Sequence, residues 1–228
     1  MFFLHCAHCT ASGKSVKLYH FGLAAAASST ASQEEEDEEQ ELAVKVRDDA
    51  LVQDSLGSRT WGAAPLLASH LLDVHLPSYI VEKGRELQQH HRKEMTGRIL
   101  ELGSGTGLVG LAAFLYLRHR LSSTSGPASS PLPILHHVHL TDSNPDVMRN
   151  LQHNMTLNDH NKNEQVGKSI ASSQSTNAQG QGQVRLHLST LDWSNIESSP
   201  LINEDKFDLI IAAGELLVSG MGIANWWY

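Results

Sequence analysis

A glycine-rich turn is the segment of this chain best equipped for chemistry. Residues 101–107 read Glu-Leu-Gly-Ser-Gly-Thr-Gly, and they stand between Ile99-Leu100 and the apolar run 108–117. Glycine has no Cβ and adopts positive φ freely, so its backbone can approach a ligand closely. We therefore predict a ligand-binding turn where a buried strand passes into a buried helix.

Two features of the turn discriminate between possible ligands. The dinucleotide fingerprint G-x-G-x-x-G requires glycine at 108, where Leu108 stands, because the spacing here is Gly103, Gly105, Gly107. Glu101 precedes the first glycine by two positions, and a carboxylate suits a cationic ammonium group better than a phosphate. These features favour S-adenosylmethionine (SAM) over a dinucleotide, and a purely structural turn is the remaining alternative.

The second predicted strand ends close to another candidate ligand-binding acid. In nucleotide-binding α/β folds, an acid about 20 residues beyond the first glycine binds ribose hydroxyls. Asp142 lies 39 residues after Gly103, and the 12-residue Ser/Pro/Gly insert at 122–133 reduces this separation to 27. We predict that Asp142 binds a ribose, and a helix N-cap or turn residue is the alternative.

Alternating strand and helix patterns must position these residues. Periodicity predicts strands at 42–47, 98–102, 134–140, 184–188 and 207–213. It predicts helices at 60–72, 81–94, 108–117 and 145–157, with Thr60 as the first N-cap and Pro77 ending that helical region. The fold class implied is α/β, Rossmann-like, with a mostly parallel sheet and helices on both faces.

Composition divides the chain into an ordered domain and polar segments. We expect a disordered leader at 1–41, a domain at 42–213 with polar inserts at 122–133 and 159–183, and a divergent tail at 214–228. Seven acids within 34–41 supply nearly all of the net charge of -8, and the rest is nearly neutral, which argues against nucleic-acid binding. No apolar run of transmembrane length occurs, so we expect no membrane partner.

The leader and the cysteines bear on location. The first 33 residues hold no acid and only two lysines, so an unstructured leader is favoured, with a mitochondrial transit peptide as the alternative. Two cysteines provide no disulfide framework, which fits a reducing compartment. We expect a cytoplasmic monomer.

Further short sequences occur in a fixed order around these motifs. They are 53–72 with Thr60-Trp61-Gly62-Ala63-Ala64, 99–110, Leu140-Thr141-Asp142, Asn150-Leu151-Gln152-His153-Asn154, Leu191-Asp192-Trp193 and 207–213. In order and spacing the chain resembles the seven-strand protein-lysine methyltransferases of the family-16 type, which modify chaperones and translation elongation factors. The segments around 48–49 and 150–154 look most like fungal elongation-factor methyltransferases.

The resemblance implies roles for individual residues. Trp61 would line the SAM pocket, Trp193 would lie beside the adenine, and the backbone of Ala213 would face the cofactor. The alternative role for Trp61 is packing at the start of a helix. The alternative role for Trp193 is packing in the hydrophobic core. With the glycine turn, the predicted cofactor-binding set is Trp61, Glu101, Gly103, Ser104, Gly105, Asp142, Trp193 and Ala213.

The sequence departs from this family after the fourth strand. The family continues with Asp, two residues and Tyr near the methyl-transfer site, whereas Gly214-Glu215-Leu216-Leu217 stands here. About three further strands are also expected, so we interpret the chain as C-terminally truncated, without strands 5–7. The functional hypotheses are a protein-lysine N-methyltransferase with a protein substrate, for which we name no catalytic base, and an inactive methyltransferase-like binding protein.

Histidines and cysteines offer two other candidate sites. His5, Cys6, His8 and Cys9 have zinc-like spacing, but no second ligand pair follows. His137 and His139 would share one face of a strand, where surface positions are the simpler interpretation. We therefore predict no metal site.

Overall fold

The protein is described by a computed structural model. The described residues are 2–9, 13–23, 40–49, 56–89, 95–123, 134–159, 183–199, 201 and 206–213. The predicted tail, most of the acid run, and most of both polar inserts lie outside these residues. Among the described residues, no helix has the length and apolar character needed to cross a membrane.

In the described part of the chain, seven strands form two separate sheets. An antiparallel sheet has the order β1-β2-β3, and a parallel sheet has the order β6-β5-β4-β7. Their bounds are β1 Phe2–Cys9, β2 Ser15–Gly22, β3 Glu41–Asp48, β4 Met95–Leu102, β5 Ile134–Asp142, β6 Gln183–Thr190 and β7 Leu209–Ala212. The parallel sheet with its helices confirms the predicted α/β class and the predicted strands from β3 to β7.

The described residues also form four α-helices: α1 Ala63–His70, α2 Leu76–Gln89, α3 Leu108–Ser123 and α4 Pro145–Leu157. A π-helical turn, Leu71–His75, joins α1 to α2, and short 3-10 turns occupy Leu56–Ser58 and Trp193–Ser198. Helix α4 has the predicted bounds because Asn144 caps it, accepting from the backbone N of Asp146 at 2.8 Å, and Pro145 fixes its first φ.

Helix α3 lies at the centre of the hydrophobic core. It contacts β3 of the antiparallel sheet as well as β5 and β6 of the parallel sheet. Leu111, Ala112 and Ala113 are fully buried, as expected for a helix that is apolar on all sides. The same core includes Ile99, Val138 and Leu140 from the parallel sheet, so α3 covers the sheet face that carries these side chains.

The prediction of a disordered leader at 1–41 is wrong for two stretches. Strands β1 and β2 lie there, and β2 pairs along its whole length with β3. Tyr19 and Phe21 of β2 are 2% and 1% exposed and pack in the core with Val44 and Val46 of β3. The composition missed this because β2 buries its aromatic rings only through pairing with β3 and contact with distant core residues.

Two predictions about the first helical region are also wrong. Pro77 does not end the helix, because the π-helical turn before it bonds Leu76 N to Leu71 O and lets the chain continue into α2. Thr60 does not cap α1, whose N-cap is Gly62 without a side-chain cap. The Thr60 hydroxyl contacts Asp48 and Thr106 instead.

A ladder of asparagines attaches β3 to α4. Asn150, Asn154 and Asn158 recur every four residues and therefore share one helix face. The Asn158 Oδ1 accepts from Lys45 N at 2.9 Å, and its Nδ2 donates to Lys45 O at 2.7 Å. Asn154 makes the equivalent pair with Arg47 at 2.8 and 3.1 Å. Side-chain amides thus pair with the outer edge of β3 as a neighbouring strand would.

Candidate functional site

The strand order creates a crevice at one end of the parallel sheet. From β4 the chain runs outward through β5 to β6, and it then returns to place β7 on the other side of β4. In open α/β sheets, ligands bind at such a reversal, outside the carboxyl ends of the strands. Gly103 follows β4 and Ala213 follows β7, where Ala212 is registered with Leu102. The reversal therefore brings these two predicted residues to one crevice.

The glycine turn has a backbone shape that other residues adopt only with strain. Gly103, Gly105 and Gly107 have φ of 58°, 56° and 81°. A Cβ on Gly105 would stand 3.0 Å from the backbone oxygen of Gly57, and one on Gly107 would stand 2.3 Å from Leu151 Cδ1. The turn therefore packs against its surroundings without room for side chains.

The N–H groups of the turn already have acceptors within the protein. Ser104 N donates to Thr141 O at 2.7 Å, Gly105 N donates to Asp142 Oδ2 at 3.2 Å, and Gly107 N donates to Ser104 O at 2.7 Å. Thr141 N in turn donates to the Ser104 hydroxyl at 2.9 Å. A phosphate cradle requires N–H groups directed at the anion. This turn is instead bonded to the end of β5.

Glu101 is buried beneath the turn rather than exposed in the crevice. It is 1% exposed, and within the described part of the chain its Oε2 has no hydrogen-bond partner. Burial raises the pKa of this carboxyl to about 8, and the nearby charge of Asp142 adds to the rise, whereas hydrogen bonds from Ser104 and the Gly110 backbone oppose it. A Cβ on Gly110 would stand 2.5 Å from Oε2, so the first turn of α3 closes over the acid.

Asp142 lies at the carboxyl end of β5 beside the turn. Its Oδ2 accepts from Gly105 N, and its Oδ1 accepts from Asn144 N at 3.0 Å. A carboxylate has about four lone-pair sites, so these two bonds orient the group and leave acceptor capacity for a ligand. The end of β5 and the N-cap of α4 thus hold Asp142 where the sequence predicted a ligand-binding acid.

Two tryptophans in the predicted set differ in their surroundings. Trp193 is 45% exposed, and its Cζ2 would lie 3.1 Å from a Cβ on Gly103, so the indole ring covers that glycine. Trp61 is 58% exposed and follows Thr60, which contacts the turn residue Thr106. The structure therefore places Trp193 directly on the turn and Trp61 one residue from a contact with it.

Sequence reasoning missed one polar cluster behind the turn. Asp48, which is 4% exposed, accepts from the Thr60 backbone N at 3.0 Å and from its hydroxyl at 2.8 Å. The Thr60 hydroxyl lies 2.9 Å from that of Thr106, and Lys17 forms an ion pair with Asp48. These contacts join residues far apart in sequence. No local pattern identifies them, although an acid at the end of an apolar strand is a weak signal.

The described geometry brings most of the predicted set together. Glu101, Gly103, Ser104, Gly105, Asp142 and Trp193 make direct contacts at one turn. They form a small-residue floor beside two acids and one exposed aromatic ring. Such a site suits a ligand with a flat ring, hydroxyl groups and a positive charge.

Comparison with known proteins places this geometry in a family. The sequence profile of a lysine methyltransferase family matches residues 38–216. The chain is 28% identical over 117 residues to the protein-lysine N-methyltransferase rrg1 of Schizosaccharomyces pombe, covering 51% of this chain and 27% of that protein. It is 28% identical over 116 residues to the protein-lysine N-methyltransferase EFM2 of Saccharomyces cerevisiae, covering 51% of this chain and 24% of that protein. The matched segment thus spans about a quarter of each relative's length. The resemblance seen in the sequence is confirmed, and the chain belongs to the lysine methyltransferase family.

Proposed function

We propose that this chain is a SAM-dependent protein-lysine N-methyltransferase that binds its cofactor in the crevice above β4 and β7. The contact that carries the proposal is the one between the Gly105 N–H and Asp142, because it joins the glycine turn to a carboxylate with free acceptor capacity. Family membership supports the same cofactor, since lysine methyltransferases use SAM as the methyl donor.

The residues present fit SAM better than they fit a dinucleotide. The positive φ angles of Gly103 and Gly105 let the backbone of the turn lie close to a ligand. Among the described residues, the buried Oε2 of Glu101 has no hydrogen-bond partner. Two acids beside the turn disfavour a pyrophosphate but favour an ammonium group and ribose hydroxyls. The turn's N–H groups at 104, 105 and 107 also donate within the protein.

Each residue of the set has a proposed binding role. Asp142 accepts hydrogen bonds from the ribose, and the exposed ring of Trp193 stacks against the adenine. Glu101, which is protonated at pH 7 in the free protein, loses its proton beneath the amino-acid end when the cation binds. Gly103, Ser104 and Gly105 form the floor. Trp61 and the backbone of Ala213 border the pocket.

Positioning is the main catalytic task left to the protein. SAM, when bound, supplies a methyl group made electrophilic by a positively charged sulfur. The chain's residues must then bring a neutral lysine amine to about 3–3.5 Å from that carbon, in line with the sulfur. Lysine has a pKa near 10.4, so an apolar approach that favours the uncharged amine is required. We name no general base.

The acceptor is proposed to be a protein lysine, and a translation elongation factor or a chaperone is the candidate class. The resemblance to elongation-factor methyltransferases supports the first, and both curated relatives carry protein-lysine N-methyltransferase in their names. The monomeric state, the cytoplasmic location and the lack of a nucleic-acid partner stay predictions.

A second candidate is a binding protein that holds the cofactor or a partner without methyl transfer. The observation that favours it is the sequence Gly214-Glu215-Leu216-Leu217, where the family has Asp and Tyr near the methyl-transfer site. Incubation of the chain with tritiated-methyl SAM and a cell lysate separates the two candidates. Label on a protein band supports the enzyme, and bound SAM without label supports the binding protein.

The cofactor proposal is tested by calorimetric titration of the full chain with SAM, with its demethylated product and with NAD. We expect a heat of binding with SAM and with its demethylated product, and none with NAD. Asp142→Ala should weaken SAM binding about tenfold or more, since charge-assisted hydrogen bonds are lost. Asp146→Ala is the matched control, because it removes a nearby acid from the first turn of α4. Equal affinity for SAM in both variants, or no SAM binding by a folded parent chain, would contradict the proposal.

A further inference from the structure

Three histidines meet on the face of the parallel sheet opposite α3. His137 and His139 alternate along β5, and His187 of β6 is registered beside His139. Their rings stack at centroid separations of 4.9, 4.5 and 6.1 Å, with interplanar angles between 14° and 21°. One ring nitrogen of each lies within 4.8 Å of the others. We name this cluster the histidine triad.

Hydrogen bonding within the triad leaves one ring unsatisfied. His137 Nδ1 and His187 Nε2 lie 2.8 Å apart and share a hydrogen bond. His139 is 6% exposed, and neither of its ring nitrogens has a hydrogen-bond partner among the residues that the structure describes. A neutral imidazole carries one donor and one acceptor, and buried polar atoms in native proteins are nearly always paired. The free nitrogens of His139 therefore point to a ligand that binds imidazole.

We propose that the histidine triad binds one Zn²⁺ ion, or a divalent transition-metal ion of similar chemistry. Three imidazoles with an open fourth position are an established zinc ligand set. Imidazole nitrogens suit Zn²⁺, Cu²⁺ and Ni²⁺, whereas Mg²⁺ and Ca²⁺ prefer oxygen ligands. This site differs from the sequence-based expectation of no metal, because His187 joins the two β5 histidines only through strand pairing.

The ring nitrogens lie near the separations that one ion requires, but the rings must rotate to bind it. Zinc–nitrogen bonds of about 2.0–2.1 Å at tetrahedral angles separate two ligand nitrogens by about 3.3 Å. The observed range runs from 2.8 Å for His137 to His187 up to 4.8 Å across the triad. Because the stacked rings are nearly parallel, they must turn about their side-chain bonds, and the His137–His187 hydrogen bond must break, before three lone pairs point at one ion.

The residues around the histidine triad affect how tightly it would bind a metal ion and what a bound ion would stabilise. Phe207 packs edge-on against His139 at 5.4 Å, and the Arg98 guanidinium lies 4.6 Å above the Phe207 ring. This positive charge opposes a cation, so we expect weaker binding than at a site whose ligating histidines donate hydrogen bonds to carboxylates. β6 is the outer strand of the described sheet, and a bound ion would fasten it to β5.

The experiment titrates the full chain with Zn²⁺ by calorimetry and with Co²⁺ by visible absorption after removal of metal with EDTA. The parent carries Cys6→Ser and Cys9→Ser, so the N-terminal thiols do not contribute. We expect one equivalent of Zn²⁺, a tetrahedral Co²⁺ spectrum and a higher melting temperature with zinc. His139→Leu and His187→Gln should each weaken binding about tenfold or more. His75→Gln, at an exposed helical histidine, should match the parent.

Two outcomes overturn the proposal: no zinc binding by the parent, or equal zinc affinity in the parent and a folded triad variant. Circular dichroism establishes folding. His139→Leu should fold without metal, because an apolar side chain of similar size replaces an imidazole with two unpaired nitrogens. If it does not fold, His187→Gln decides the matter, since His187 is only partly buried.

Discussion

Asn154 donates an amide hydrogen to the backbone oxygen of Thr106, 3.0 Å away, and so joins helix α4 to the glycine turn. The same amide group exchanges hydrogen bonds with the backbone N and O of Arg47 in β3, at 2.8 and 3.1 Å. Asn154 is 0% exposed, so these bonds replace its hydration completely. One side chain therefore fixes the antiparallel sheet, α4 and the candidate site relative to one another.

Replacing this amide should destabilise the protein. Asn154→Ala leaves the Arg47 N–H and the Thr106 oxygen buried without their side-chain partner, which we expect to lower the free energy of unfolding by about 2–3 kcal/mol. Urea denaturation followed by circular dichroism measures the change. Gln152→Ala, at an exposed position of the same helix, should shift the free energy by less than about 0.5 kcal/mol. Equal urea midpoints for the two variants would contradict the role given to Asn154.

The glycine turn offers a paired test of backbone shape. Gly105→Ala places a Cβ 3.0 Å from the Gly57 oxygen at a φ of 56°, so it should cost about 1–2 kcal/mol of stability and weaken SAM binding about tenfold or more. Gly62→Ala is the matched control, because its φ is -60° and a Cβ there meets nothing within 4 Å. Calorimetry with SAM should find Gly62→Ala unchanged. Undiminished SAM affinity in folded Gly105→Ala would argue against a cofactor floor at this turn.

The sequence predicted correctly those elements whose ends are specified by residues close by in the chain. Helix α4 matches its predicted bounds because Asn144 and Pro145 specify its start. The elements that the sequence analysis missed depend on contacts with residues distant in the chain. Phe21 in β2 is buried because β2 pairs with β3, which contacts α3, and the Phe21 ring joins the shared core. Thr60 looks like a helix cap in sequence, but Asp48 and Thr106 outcompete that role in the folded chain.

The candidate site divides in the same way. Gly103, Gly105 and Asp142 were predicted because their types and spacing are local, and the structure brings them into contact with one another or with Trp193. The buried position of Glu101 was not predicted, since the sequence shows an acid near a turn but not the closure of α3 over it. The histidine triad escaped detection because strand register, not spacing, places His187 beside His139.

Burial of Glu101 makes stability depend on pH. Its pKa rises from 4.5 to about 8 on folding, so the folded state binds more protons than the unfolded state between these values. The stability contributed by the protonated acid is complete below about pH 4.5 and is lost as the pH rises through about 8. Glu101→Gln removes this loss and should raise the free energy of unfolding at pH 7 by roughly 3 kcal/mol. Urea denaturation at pH 5 and pH 8 measures how the free energy of unfolding changes with pH. This change should be smaller in the variant than in the parent.

Cofactor binding should draw a proton from the same carboxyl. If the cation of SAM is balanced by ionised Glu101, binding at pH 7 releases up to about one proton from the parent chain. Calorimetry in two buffers of different ionisation enthalpy measures the number of protons released on binding. Subtracting the number measured for Glu101→Gln removes the protons that SAM itself releases. An identical proton count in parent and variant would place Glu101 outside the binding event.

Trp193 gives the most direct optical test of the site. Its indole covers Gly103 and is 45% exposed, so a stacked adenine would bury it further and change its fluorescence. Trp193→Ala should weaken SAM binding about tenfold, because aromatic stacking on a base is worth about 1–3 kcal/mol. Ile196→Ala, in the same 3-10 turn and 43% exposed, is the matched control and should bind SAM as the parent does. A folded Trp193→Ala with parental SAM affinity would mean that the ring covers the turn without contacting the cofactor.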